Sequence, residues 1–255
     1  MLISFKNIIN KYRKYFRFRN YIPMFKFNRV LSEILLDRID KLHFMDWWSI
    51  RPFNGQVRRT VQICLIAEDF KPNYAIETGT YFGTSTTFLC GLVTDQTFTI
   101  EINEKYAKAA KKRFALNYSD FKIDCITGDS EIEVIKILSA IPNHNKNVIA
   151  YLDAHWTGKV PTTTEIEALY NWGDNWIAIV DDFKVDSDLK YGFDVHDGFE
   201  VDLSTVPKLP GLQVWVPSEI SKSETGARRG TAYIFTEKSI SQITQRTLTN
   251  LQRIR

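Results

Sequence analysis

The chain is predicted to fold as an α/β protein with a doubly wound, mostly parallel sheet. From residue 73 onward, short apolar segments of strand length alternate with segments of helical periodicity, which is typical of such sheets. A glycine-containing turn follows the first of these strands, and open α/β sheets bind ligands at such turns. The composition, with 44% hydrophobic and 25% charged residues, is that of a globular protein and excludes wholesale disorder.

Seven strands are predicted between residue 73 and residue 236. The last two are separated by a Ser/Glu/Gly/Arg loop with no helical pattern, so we expect them to form an antiparallel hairpin at the sheet edge. The result is a Rossmann-like, doubly wound, seven-stranded sheet with an antiparallel C-terminal hairpin. The predicted strands are Tyr74–Glu77, Thr97–Glu101, Lys122–Thr127, Val148–Asp153, Trp176–Asp181, Leu212–Val216 and Thr231–Phe235.

Helices are predicted on both sides of the first strand. Upstream, Val30–Phe44 and Gln56–Phe70 have helical periodicity and are joined by the aromatic turn Trp47–Gly55, so this extension can form a lid over a pocket. Downstream, Ser130-x-x-Glu133 and Thr162-x-x-Glu165 match the capping box, which predicts that helices begin there.

The first 30 residues differ from the rest in charge. Of the 33 Lys and Arg in the chain, eight lie in residues 1–30, which contain none of the 30 Asp and Glu. Aromatic residues alternate with these basic ones, a composition that suits an anionic membrane surface or a polyanion. The alternative is a basic segment that packs on its own domain. We therefore divide the chain into a basic aromatic arm (1–30) and one α/β domain with N-terminal lid helices (31–255).

Composition also bears on location and partners. No apolar run approaches the roughly 18 residues that span a bilayer, and no signal peptide is evident. Cys64, Cys90 and Cys125 are odd in number and lie in apolar patterns, which favours a reducing cytosol. We expect a cytoplasmic protein, with peripheral membrane contact through the arm as an option. No specific nucleic acid is expected, and a homo-oligomer is left open.

The sharpest local pattern is Glu77-x-Gly79-x-x-x-Gly83, between the first strand and a helix predicted over Thr84–Leu92. Gly79 permits a tight turn, Gly83 permits close approach of a ligand, and the helix start offers N–H groups to a carboxylate. The spacing differs from the G-x-G-x-x-G of dinucleotide sites. A plain strand-to-helix turn is the alternative. The cofactor contacts predicted in this segment are Glu77, Gly79, Thr80, Tyr81, Gly83 and Thr84.

The next two strands end in polar residues that suit an adenosine group. Glu101 ends the second strand, where an acidic side chain can accept hydrogen bonds from both ribose hydroxyls. Asp129 and Ser130 follow the third strand and are placed to contact an adenine. Ser130 has the alternative role of capping the next helix. A glycine turn combined with an acidic strand end is more specific than either feature alone.

Three carboxylates lie at the ends of the fourth and fifth strands and are expected to converge at the same sheet edge: Asp153, Asp181 and Asp182. Such a cluster is costly unless it is protonated, paired with Lys or Arg, or neutralised by a hard cation such as Mg²⁺. We expect these three to bind a divalent metal. Ordinary strand-end acids in water are the alternative.

The predicted catalytic residues are Asp153, at the end of the fourth strand, and His155, two residues further on. Asp153 is expected to contact the cofactor as well as the metal. His155 titrates near neutral pH, which suits a general base, although a positioning histidine is an equal alternative.

Together these motifs resemble the metal-dependent class I S-adenosylmethionine (SAM)-dependent O-methyltransferases, of both the catechol and the macrocin O-methyltransferase types. The resemblance covers roughly residues 54 to 236. It implies SAM as cofactor, Mg²⁺ held by the acidic strand ends, and a small molecule or sugar hydroxyl as methyl acceptor. The chain departs from the macrocin type by having His155 where that type has Asp, and the nearby Lys of the catechol type has no match. The motifs are Glu77–Gly83, Thr99–Asn103, Asp153–Trp156 and Asp181-Asp182.

Two further segments, Arg51–Gln56 and Thr225–Gly230, resemble those of bacterial methyltransferases without indicating a substrate. We expect the acceptor pocket to involve Trp47–Phe53 and Tyr191–Glu200. Two rival functions stay open. One is another enzyme on this scaffold, such as a hydroxylase or an NAD-linked oxidoreductase, and the other is a non-catalytic membrane- or nucleic-acid-associated module.

Overall fold

The structure, a computed structural model, describes residues 52–142, 145–154, 160–196 and 198–255. The predicted arm (1–30), the predicted helix Val30–Phe44 and the candidate base His155 lie outside these residues.

The described residues alternate between helices and strands from residue 57 to residue 181, as predicted. Short 3₁₀ turns lie at Pro52–Gly55, Leu203–Thr205 and Ser221–Ser223. The helices are α1 (Val57–Phe70), α2 (Thr84–Leu89), α3 (Glu104–Asn117), α4 (Ser130–Ala140), α5 (Thr162–Trp172), α6 (Glu237–Ile240) and α7 (Gln245–Leu248). The strands are β1 (Tyr74–Thr78), β2 (Gln96–Glu101), β3 (Ile123–Thr127), β4 (Val148–Leu152), β5 (Trp176–Asp181), β6 (Val195–His196), β7 (Phe199–Glu200), β8 (Gln213–Pro217), β9 (Thr231–Phe235) and β10 (Leu251–Arg253).

Eight strands form the main sheet, in the order β10-β8-β9-β5-β4-β1-β2-β3. The strands β1 to β5 run parallel, whereas β9 pairs antiparallel with β5, and β8 with β9. This confirms the predicted fold class and the antiparallel pairing of β8 with β9. The predicted number of seven strands is wrong, because β10 pairs with β8 as an eighth strand and takes the edge position.

Helices cover both faces of the sheet, which explains why every residue of β4 and β5 is buried. On one face, Ile63 and Ile66 of α1 pack in a cluster with Tyr151 and Ile179. On the other face, α4 and α5 pack in a second cluster with the alternate residues of the same strands. The central strands are therefore fixed from both sides, and their carboxyl ends are held at one sheet edge.

Three predictions about where helices begin and end were wrong. Asp129, not Ser130, caps α4, and its side chain accepts a hydrogen bond from the Glu131 amide. The residue before α5 is Pro161, with no side-chain cap, so the Thr162 capping box does not form. The helix predicted over Thr84–Leu92 ends at Leu89.

The described residues also bear on membrane insertion and on the cysteines. None of the helices in the described part of the chain combines the length and the apolar character that crossing a bilayer requires. All three cysteines are buried, as their apolar sequence patterns predicted.

Candidate active site

A cavity of about 570 Å³ lies at the carboxyl ends of the parallel strands. Nine of the ten predicted cofactor residues line it, and Gly83 does not. Asn54, Tyr106 and Asp182 also reach it, from the 3₁₀ turn before α1, from α3 and from the end of β5. The nine predicted residues are Glu77, Gly79, Thr80, Tyr81, Thr84, Glu101, Asp129, Ser130 and Asp153.

Gly79 is required because the turn after β1 passes very close to the end of the neighbouring strand β4. Its φ is +80°, and a Cβ there would lie 2.2 Å from the backbone oxygen of Asp153. No other residue fits such a close approach without displacing the backbone. The turn after β1 and the end of β4 are thereby held in contact beside the cavity.

Gly83, predicted to let a ligand approach, does not line the cavity and is instead packed against α3. Its φ is +71°, and a Cβ there would lie 2.3 Å from the ring of Phe114. The glycine thus allows α2 to pack against α3. The E-x-G-x-x-x-G pattern combines one glycine beside the cavity with one that serves packing.

Glu77 is buried at the base of the cavity. Its Oε2 accepts hydrogen bonds from the hydroxyls of Thr86 and Thr99, the latter at 2.7 Å. Burial raises the pKa of Glu77 to about 7, although the two hydroxyls act in the opposite direction. Thr80 extends the network with a hydroxyl contact of 2.6 Å to Thr99.

Glu101 holds the loops on both sides of the cavity. Its Oε2 accepts a hydrogen bond from the Tyr81 amide at 2.7 Å, and its Oε1 accepts one from the Asn103 amide at 2.8 Å. The side chain is only 7% exposed and still lines the cavity. Each carboxylate oxygen has a second lone pair, so Glu101 can also accept from two ligand hydroxyls.

Asp129 and Ser130 close the cavity at the end of β3. Asp129 caps α4, so its backbone and side chain are fixed where they face the cavity. Ser130 is buried next to Glu165 of α5, a carboxyl whose pKa burial raises to about 7. Glu165, predicted as part of a capping box, is instead a buried acid behind the cavity wall.

The three predicted metal ligands occupy different environments. Asp153 and Asp182 line the cavity, and Asp181 does not. Burial, together with the charges of Asp181 and Asp182, raises the pKa of Asp153 well above its usual range. Asp182 has a φ of +52°, a left-handed conformation that Asp tolerates better than most residues. Burial and Asp181 raise the pKa of Asp182 to about 7.

Arg59 of α1 neutralises Asp181. Its Nη1 forms an ion pair with Asp181 Oδ1 and donates to the Tyr151 hydroxyl at 3.0 Å. Tyr151 in turn donates to Asp181 Oδ2 at 2.5 Å. The Nη2 of Arg59 donates to the backbone oxygens of Arg229 and Gly230, at 2.7 and 3.0 Å. Both members of this ion pair are buried.

Arg229, in the loop before β9, pairs with Asp182 in the same way. Its Nε lies 2.6 Å from Asp182 Oδ1, and its Nη2 forms an ion pair with Asp194. Gln56 fixes the backbone of Arg229, because the Gln56 side chain accepts from its amide at 2.6 Å and donates to its carbonyl at 2.9 Å. Asp194 lies in the loop that was predicted to border the acceptor, and its amide donates to the Asp182 carbonyl at 3.0 Å.

These residues do not fit the predicted divalent-metal site. In the described ranges, no group of three or more His, Cys, Asp or Glu side chains is arranged to hold a metal ion. Both oxygens of Asp181 accept hydrogen bonds within the protein, and Asp182 is paired with Arg229. The expected convergence of acids is present, but arginines neutralise two of them.

Sequence reasoning missed both arginines and misplaced one aromatic residue. Arg59 lies on the apolar face of the predicted helix Gln56–Phe70, and a charged residue in such a place indicates a buried partner of opposite charge. Arg229 lies in the segment Thr225–Gly230, for which the sequence indicated no role. Phe53, predicted near the acceptor, is instead 1% exposed and packs on Phe88 and Tyr151, with ring centroids 5.4 and 4.8 Å apart.

No family model and no curated protein matches the chain. Solved structures do match, and the three described here each have a TM-score of 0.51. Cofactor-bound Rv0187 from MTB is 17% identical and covers 71% of this chain and 80% of its own. A proposed O-methyltransferase from Klebsiella pneumoniae is 15% identical over 70% and 80% of the two chains. A proposed caffeoyl-CoA O-methyltransferase from Staphylococcus aureus is 14% identical over 91% and 98%. The chain therefore shares its Rossmann-like α/β fold with these structures.

Proposed function

We propose that this protein transfers a methyl group from SAM to a hydroxyl group of a small molecule or sugar. The observation that carries the proposal is the buried Glu101 at the end of β2, facing the same cavity as the glycine turn after β1. An acid in this position suits a ribose, and the E-x-G-x-x-x-G spacing lacks the glycine pattern of a dinucleotide site. The fold shared with two solved structures described as proposed O-methyltransferases supports the same cofactor, since enzymes of that kind use SAM.

The cavity walls suggest how SAM is oriented. Glu101 accepts hydrogen bonds from the ribose hydroxyls, and Asp129 with Ser130 borders the adenine. The methionine part then lies toward Glu77, Gly79 and Thr80. In this orientation the reactive sulfonium is near the ends of β1 and β4, close to Asp153.

The acceptor would enter between Asp153 and Asp182, beside the loop that contains Asp194. The sulfonium is a reactive donor, so the protein mainly has to align the acceptor oxygen with the methyl carbon and accept its proton. Asp153 borders this position, and His155 follows it by two residues in the sequence. Either of these side chains can serve as the proton acceptor, and His155 stays a prediction because it lies outside the described residues.

A binding experiment with one variant and one control tests the cofactor. We expect the purified protein to bind SAM or S-adenosylhomocysteine with a micromolar Kd, roughly −8 kcal/mol, in titration calorimetry. Replacing Glu101 by Ala removes a charged acceptor, and the loss of one hydrogen bond to such a group typically costs about 1.5–3 kcal/mol. Glu101→Ala should therefore weaken SAM binding by roughly ten- to a hundredfold.

Glu104→Ala is the matched control, because Glu104 is an exposed acid three residues further on, in the first turn of α3. Its affinity for SAM should equal that of the unmodified protein. Tight binding of NAD⁺ together with no binding of SAM would refute the proposed cofactor and favour an oxidoreductase.

A further inference from the structure

We infer that this site works without a bound divalent cation, because Arg59 and Arg229 already neutralise the carboxylates that a cation would need. The part of this inference that concerns catalysis rests on the proposed methyl transfer. The resemblance in the sequence implied the opposite, a Mg²⁺ held by Asp153, Asp181 and Asp182.

Asp181 is unavailable to a cation on both of its oxygens. Oδ1 pairs with Arg59 and accepts a hydrogen bond from the Asp182 amide at 2.7 Å, and Oδ2 accepts one from Tyr151 at 2.5 Å. The side chains of Asp181 and Arg59 are each 1% exposed. A cation would therefore have to displace a buried guanidinium and leave it without its counter-charge.

Arg59 is also held from its far side. Its second terminal nitrogen donates to two backbone oxygens of the loop before β9. Because a guanidinium is planar and its donors are fixed in a fork, these bonds set the direction in which Nη1 points. Arg59 is therefore a structural counter-ion of the strand end and not a mobile side chain that a metal could push aside.

Asp182 lines the cavity, so it would have to be the ligand that binds a cation from the cavity side. Its Oδ1 is bonded to Arg229, and the same guanidinium reaches Asp194. Mg²⁺ requires nearly octahedral coordination by oxygen atoms, several of them from water. The guanidinium of Arg229 occupies Asp182 Oδ1, which such a cation would need as a ligand. Arg229 thus supplies a fixed positive charge beside the acceptor region and ties Asp182 to the loop bearing Asp194.

The two segments that resembled bacterial methyltransferases explain how Arg229 is placed. Gln56, from the first segment, holds both the amide and the carbonyl of Arg229, in the second. The Ala227 amide donates to the Asn54 carbonyl, and the Thr225 hydroxyl donates to the Gly55 carbonyl. These segments form one scaffold for Arg229. We therefore assign Arg229 as a positioning residue that acts through Asp182 and Asp194.

The test measures Mn²⁺ binding to the full chain by electron paramagnetic resonance, with no cofactor present. The unmodified protein should bind Mn²⁺ with a Kd no tighter than that of Arg228→Met, in which the neighbouring arginine is replaced. The Arg228 side chain is exposed, and its Nε donates to the backbone oxygen of Glu224 at 3.2 Å. Arg229→Met should uncover Asp182 beside Asp153 and bind Mn²⁺ at least tenfold more tightly.

Two results would overturn the inference. One is micromolar binding of Mn²⁺ by the unmodified protein that is lost in Asp182→Asn. This comparison does not depend on whether an arginine variant folds. The other is Mn²⁺ affinity in a folded Arg229→Met protein equal to that of Arg228→Met, which would show that the arginine is not what excludes the cation.

Turnover provides a second and separate readout. Formation of S-adenosylhomocysteine from SAM with a cognate acceptor should be the same before and after dialysis against EDTA, and loss of turnover that Mg²⁺ restores would contradict the inference. Absence of any SAM binding would refute the proposed function alone, because the Mn²⁺ measurement does not depend on SAM.

Discussion

Two buried glutamates, Glu77 and Glu165, lie at and behind the cavity wall with pKa values raised to about 7. A raised carboxyl pKa means that the folded state binds the proton more tightly than the unfolded chain does. The stability from these groups is complete below about pH 4.5, the pKa of an ordinary glutamate, and is lost as the pH rises through about 7. The fold should therefore be more stable in mild acid than at pH 8, as far as these two groups are concerned.

Glu165→Gln tests this dependence, because an amide has nearly the shape of the neutral acid and does not ionise. The shift of Glu165 from 4.5 to about 7 corresponds to about 3 kcal/mol. Urea denaturation should show that the variant gains about this much free energy of unfolding over the unmodified protein between pH 4.5 and pH 8. Glu167→Gln, an exposed position in the same helix, should leave the pH dependence unchanged. Parallel pH profiles for Glu165→Gln and the unmodified protein would disprove the assignment.

For single residues, the sequence predicted which side chains lie at the strand ends better than it predicted the side chains with which they pair. Glu101, Asp129 and Asp153, which were predicted to contact the cofactor, all line the cavity, because the end of a strand is visible in the sequence and fixes where the next side chain lies. The ion pairs of Asp181 and Asp182 were not predicted. Their arginines come from residues 59 and 229, and nothing in a single sequence links positions that far apart.

At the level of elements, the loop before β9 and the 3₁₀ turn before α1 depend on one glycine for their contact. Gly226 has a φ of +65°, and a Cβ there would lie 2.3 Å from the Asn54 carbonyl oxygen. Asn54 itself lines the cavity. A side chain at position 226 would therefore separate the two segments that hold Arg229.

Gly226→Ala should lower the free energy of unfolding much more than the matched change Gly198→Ala. Gly198 also has a positive φ, +86°, but a Cβ there meets no atom within 4 Å. Its replacement should cost only the conformational strain, about 1 kcal/mol, whereas Gly226→Ala should cost about 2 kcal/mol more. Chemical denaturation of both variants measures the difference, and equal losses would mean that the contact with Asn54 adds nothing.

Elements differed in how well they could be predicted. The strands β1 to β5 were recognised because short apolar runs between turn signals are typical of buried parallel strands. β10 was missed because it has three residues, too few for a periodic pattern. The helix caps were misassigned by one residue at α4, where Asp129 and Ser130 are adjacent and both residue types cap well.

At the scale of the whole molecule, residues 52–255 contain the complete eight-stranded sheet and the cavity. The resemblance identified from residue 54 onward agrees with the fold shared with two solved structures that are described as proposed O-methyltransferases. The fold class could be predicted because the alternation of elements determines it. The acceptor could not, since the side chains expected around it are generic and several of them lie outside the described residues.

The basic arm (1–30) is the part of the chain for which a role beyond the sheet is proposed. Deleting residues 1–25 should leave a folded, SAM-binding protein, because the sheet and the cavity are built from later residues. The same deletion should reduce attachment to anionic phospholipid vesicles in a sedimentation assay, since it removes six of the eight basic residues of the arm and leaves only Lys26 and Arg29. Attachment of the full chain should fall steeply at high salt, where the charges are screened, and should be weak on neutral vesicles. Loss of folding on truncation would show that the arm belongs to the core, and undiminished attachment of the truncated protein would assign the membrane contact to the folded domain.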